Sequence, residues 1–114
     1  MEMTKLSCEK FLAELASKAP TPGGGGTAAL VGAAGVALGN MVGNLTTGKK
    51  KYAAVEADIQ SLNAQAEVLR KELEALVQAD AEAFAPLAAA ARRGRFAGQF
   101  CQKLLTAPLH HFHW

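Results

Sequence analysis

Apolar residues recur along this chain in three blocks, each with helical spacing. Cys8, Phe11, Leu12, Leu15 and Ala16 fall three and four residues apart and predict a helix from about Thr4 or Ser7 to Ser17. The second block lies inside Ala19–Gly48, a stretch without a single charged residue. It predicts a helix from Thr27 to about Leu45, with Thr27 as N-cap and Gly48 just past the end. Gly32, Gly35, Gly39 and Gly43 line one side of it. Each mid-helix glycine costs about 1 kcal/mol relative to alanine, so four together predict another helix or a ligand close against the backbone.

The third block is the most regular. Alternate steps of four and three lead through Tyr52, Val55, Ile59, Leu62, Ala66, Leu69, Leu73, Leu76, Asp80, Ala83 and Leu87. This seam predicts a helix of about 50 Å reaching at least to Phe84, with a break or kink near Ala85 imposed by Pro86. Asp80 is the one seam position that is neither tyrosine nor apolar. A carboxylate on a buried stripe must be paired, protonated or in use; near a helix end it can instead simply turn to solvent.

Between the first two helices lies Pro20-Thr21-Pro22-Gly23-Gly24-Gly25-Gly26. The prolines end the first helix by about Lys18, and the glycines permit positive φ and close backbone approach. Free N–H groups at the start of the next helix suit an anion or a polar ligand head, while a glycine run is also the ordinary way to turn a corner.

Composition narrows the class. The 114 residues make at most one small domain, half hydrophobic but only 6% aromatic, in the Ala-Leu-Val-Gly palette of closely packed helices. A net charge of +2, with Lys49-Lys50-Lys51 as the one basic run before the tail, does not indicate nucleic acid. Cys8 and Cys101 have neither metal-ligand nor redox spacing, so the expectation is a reduced, cytoplasmic protein without a structural metal. The first eighteen positions carry no secretory signal. Ala28–Leu45 approaches the length of a membrane span, but its Ala and Gly content with Asn40 and Asn44 favours a buried helix and no membrane.

Several segments together resemble one family. Phe11-Leu12-Ala13-Glu14-Leu15-Ala16-Ser17, Pro20-Thr21-Pro22-Gly23-Gly24-Gly25 and Ala28-Ala29-Leu30 match its N-terminal signature. Met41-Val42, Leu45-Thr46, Gly48-Lys49-Lys50-Lys51-Tyr52 and Asp80-Ala81-Glu82-Ala83-Phe84 follow in its order and spacing. The chain thus resembles the cyclodeaminase/cyclohydrolase group, which comprises the C-terminal domain of formiminotransferase-cyclodeaminase and the bacterial methenyltetrahydrofolate cyclohydrolases. The resemblance covers roughly residues 5 to 91, the N-terminal half of the family domain.

That resemblance implies an all-α fold, an antiparallel helical bundle with one long helix, assembled as a homodimer. It implies a folate-type substrate, with no metal and no cofactor beyond tetrahydrofolate itself. It also implies proton transfer by Asp80 and a substrate pocket shaped by Thr21, Pro22, Gly23, Gly24, Gly25 and Gly26. Thr46, Lys49, Lys50 and Tyr52 complete the implied substrate-binding set, the lysines facing the folate's carboxylates. The lysines also suit a solvated flank at a helix C-terminus.

Residues 92–114 depart from the family, whose next helices are expected there, and read as a divergent, out-of-frame tail or a genuine short variant. His110, His111 and His113, with Cys101, fit no structural zinc pattern. Three helices cannot cover their own apolar faces, so self-association through the Tyr52–Leu87 seam is expected. The same reasoning keeps a second function open, a non-catalytic helical assembly or folate-binding protein.

Overall fold

In a computed structural model, which describes residues 2–92, the chain is all helical. Its helices are α1 (Cys8–Ala16), α2 (Gly24–Thr46) and α3 (Glu56–Arg92), with short 3-10 segments at Met3–Lys5 and Lys50–Val55. The tail expectations for residues 93–114 lie outside the described residues.

Each helix start has a local cause. Ser7 caps α1, its hydroxyl accepting the Lys10 N–H at 3.1 Å. Helix α2 starts earlier than expected: Gly23 is its N-cap and Thr27 already lies inside it. The Thr27 hydroxyl donates to the Gly23 carbonyl at 2.7 Å instead of capping. At the other end Gly48, at φ +78°, reverses the chain as expected. The Gly48 N–H then donates to the Glu56 carboxylate at 2.7 Å, which ties the turn to the start of α3.

Helices α2 and α3 pack along their length with chain direction reversed. Gly26 meets Asp80, Gly32 meets Leu73, and Gly43 meets Asn63. The open end is closed by α1 and the N-terminal turn. Met3, Phe11, Val77 and Ala81 form one buried cluster, and the Met3 N–H donates to Gln78 Oε1 at 2.7 Å.

Three expectations are corrected. Helix α3 runs through Pro86 to Arg92, so of the break or kink expected near Ala85 the break does not occur. Proline removes one helical hydrogen bond, but alanines on both sides favour helix, and the burial of Ala88 anchors the segment beyond it. Of the glycine row, Gly32 and Gly43 do meet α3, whereas nothing among the described residues lies within 4 Å of a Cβ at Gly35 or Gly39. Nor is α2 a buried helix. It has the length and apolarity to cross a membrane, yet within this chain only 6% of its most apolar window is buried. Its outer face, including Val31, Leu38, Val42 and Leu45, is exposed, and among the described residues α3 is the helix that packs along its length.

The α3 seam is half right for a similar reason. Leu73 and Asp80 turn toward α2, together with Asn63 and Val77, which the seam omits, and Ile59, Ala66 and Arg70 are half-buried in the same register. Leu62, Leu69 and Leu76 are roughly half or more exposed. One partner helix engages one row, and the leucine row is left over.

The open glycines give a simple test. Gly35→Ala and Gly39→Ala add a methyl to free helix surface, so each should stabilise the isolated chain by about 0.5–1 kcal/mol. Denaturant melts of the two variants check this. A loss of stability at either would mean that something already lies against that face.

Candidate functional site

The site is built where the start of α2 meets the middle of α3. Pro22, after a cis Thr21–Pro22 bond, is buried and delivers the chain into the first turn of α2. The N–H groups of that turn have no helical partner, and Gly23 has no side chain with which to cap them. Asp80 supplies the missing acceptor from 54 residues away, its Oδ2 taking the Gly26 N–H at 2.8 Å. A carboxylate at a helix N-terminus is also favoured by the helix dipole.

The glycines serve this contact by lacking a Cβ, not by unusual backbone angles. Gly48 is the one positive-φ residue among the described residues. A Cβ on Gly25 would collide with the Asp80 carboxylate. One on Gly26 would press on the Val77 carbonyl at 3.3 Å and on Asp80 Oδ2 at 3.4 Å. A Cβ on Gly24, by contrast, would meet nothing within 4 Å among the described residues, and Gly24 and Gly25 are exposed. Asp80 is therefore reached over bare backbone. No basic side chain among the described residues pairs with it. The expectation that the α2 N-terminus would hold an anion changes accordingly, because the chain's own carboxylate is already there.

The remaining sequence candidates lie elsewhere. Thr46 is the last residue of α2, its hydroxyl donating to the Val42 carbonyl at 2.7 Å. Lys49 and Lys50 are exposed, and Tyr52 is 39% exposed with Lys51 Nζ 5.6 Å from its ring centroid. The twenty-one helical residues from Gly26 to Thr46 span about 30 Å. One chain therefore brings Gly23, Gly25 and Gly26 to Asp80 but keeps that contact apart from Thr46, Lys49, Lys50 and Tyr52.

At that far end an open groove of about 790 Å³ lies between α2 and α3. Asn40, Asn44, Gln60, Asn63, Glu67 and Arg70 are among its lining residues. Asn40 Nδ2 donates to the Asn63 carbonyl at 3.1 Å, and Asn63 Nδ2 donates to Asn44 Oδ1 at 3.1 Å. Asn40 Oδ1 is buried without a hydrogen-bond partner among the described residues. Sequence reasoning treated Asn40 and Asn44 only as signs against a membrane span. The signal it missed is the facing register, two asparagines on α2 opposite one on α3. No cluster of three or more metal-ligating side chains occurs among the described residues.

Residues 7–96 match the family described as formiminotransferase-cyclodeaminase, a span that includes the whole glycine–Asp80 contact. The chain belongs to that family. A methenyltetrahydrofolate cyclohydrolase of Methylorubrum extorquens is 57% identical over 76 residues, covering 67% of this chain and 36% of that protein. The rat formimidoyltransferase-cyclodeaminase is 37% identical over 79 residues, covering 69% of this chain and 15% of the relative. Its counterpart in Dictyostelium discoideum is 40% identical over 60 residues, or 53% of this chain and 11% of that protein. The chain thus spans well under two thirds of the length of each of these family members.

Proposed function

We propose that this chain acts on the one-carbon unit of a tetrahydrofolate, as a cyclohydrolase or cyclodeaminase, with Asp80 transferring the proton. The observation that carries the reading is the Asp80 carboxylate held against the bare start of α2, within the segment matched by the family. Hydrolysis of a methenyl bridge adds water to the bridging carbon, releases a proton and then opens one carbon–nitrogen bond. Ring closure of a formimino group instead forms a carbon–nitrogen bond and expels ammonia. Each needs a proton taken from an attacking group and given to a departing nitrogen, which one positioned carboxylate can do. The Gly26 N–H holds Oδ2 and orients the carboxylate, leaving Oδ1 for the proton. The reading requires tetrahydrofolate as substrate and no further cofactor, and places the protein in the cytoplasm.

The same reading includes an antiparallel helical bundle completed by a second copy. Its support is the uncovered leucine row of α3 and the uncovered outer face of α2. Leu62→Glu with Leu69→Glu should convert a dimer to monomer in light scattering, because two charges then face the apolar partner. An unchanged mass would remove the α3 row from the interface.

The functional test is direct. Purified chain is mixed with methenyltetrahydrofolate, or with formiminotetrahydrofolate, and followed for loss of the methenyl chromophore or release of ammonia. Turnover of either supports the reading. If the chain self-associates yet neither binds nor converts a folate, the alternative of a non-catalytic helical assembly replaces it.

A further inference from the structure

Resting on that reading, we infer that Asp80 is the counter-ion of a cationic one-carbon bridge, so that the site selects folates by the charge of that bridge. Three observations meet here. The carboxylate has one hydrogen bond, from the Gly26 N–H, and no basic side chain beside it among the described residues. The surface over it is the exposed backbone of Gly24 and Gly25, and a Cβ at Gly25 would fall on the carboxylate itself. The start of α2, the natural place for a ligand's anionic group, is taken by this internal anion.

A ligand arriving over these glycines meets a negative charge with unsatisfied acceptor capacity. A methenyl bridge is an amidinium, with one positive charge shared between two nitrogens through carbon, and a protonated formimino group is likewise an amidinium. A formyl group is neutral. The carboxylate attracts the first two and offers the third no charge partner. The glutamate tail is common to all three and cannot discriminate among them.

The test compares two probes that differ at the bridge, methenyltetrahydrofolate and 5-formyltetrahydrofolate. Binding is measured calorimetrically at mildly acidic pH, where the closed methenyl ring is favoured. The wild-type chain should bind the cationic probe at least about tenfold more tightly, which is 1.4 kcal/mol. Asp80→Asn should bring that ratio close to one by weakening the methenyl probe alone. Gly25→Ala, which displaces the carboxylate without changing its charge, should lower the ratio in the same direction and serves if Asp80→Asn does not fold. Unchanged selectivity in a folded variant that still binds both probes overturns the counter-ion role and leaves the folate reading standing. Failure of the wild-type chain to bind either probe overturns the folate reading, and this inference with it.

Discussion

Asp80→Asn should lower cyclohydrolase or cyclodeaminase turnover by about 100-fold or more while the helices stay folded. The factor is the usual scale for losing a positioned acid–base group. Asparagine has almost the same shape and can still accept the Gly26 N–H through its amide oxygen, so the local packing survives. What it loses is the negative charge and the ability to take up a proton. The stability cost is confined to the charge at the start of α2, on the order of 1–2 kcal/mol for a part-buried pairing of this kind. Steady-state rates beside a circular dichroism melt decide the matter. Turnover within a few-fold of wild type would make Asp80 a cap for α2 and nothing more, and loss of helicity would make it a folding residue.

Gly25→Ala should separate the site from the fold. An alanine Cβ cannot coexist with the carboxylate where it now sits, so the Asp80 side chain must swing away. The hydrogen bond to Gly26 is then lost, at about 1 kcal/mol on the scale of a missing cap. Alanine repays a similar amount through helix propensity. Net stability should therefore move by less than about 1 kcal/mol, whereas turnover should fall as far as in Asp80→Asn. Gly35→Ala is the control, since it lies outside the glycine turn and nothing among the described residues is within 4 Å of a Cβ there. Equal behaviour of the two alanine variants would show that the carboxylate's position is unimportant.

The three helices and their order are legible in the sequence because spacing at three and four residues is a local signal. The odd position of Asp80 on its seam is legible for the same reason, and the residue does reach the glycine turn. The partner rows are not. The seam of α3 contains two interleaved rows, and only contact with the narrow, Ala- and Gly-rich α2 decides that Ala66 and Leu73 turn inward while Leu62 and Leu69 stay outside. Thr27 looks like a cap because the acceptor that replaces it lies 54 residues away. Asn40 and Asn63 are unremarkable as letters and become a polar layer only when two helices face each other. Pro86 misleads in the opposite sense, since a local rule against helix yields to the anchored alanines beyond it.

The position of the Gly26–Asp80 contact has consequences for how the protein opens. The turn at Gly48 joins α2 to the segment leading into α3, and the Gly26–Asp80 contact lies near the far end of the pair. Contacts near the end of a helix pair open more readily than those in its middle. The clasp at that end is Met3 and Phe11 lying on Val77 and Ala81, with the Met3–Gln78 hydrogen bond beside them. Amide exchange should therefore be faster at Gly26 than in the middle of α2, and loosening the first sixteen residues should speed it further without melting the hairpin. The clasp beside the site is an N-terminal turn and a short helix that contribute no atom to the Gly26–Asp80 contact.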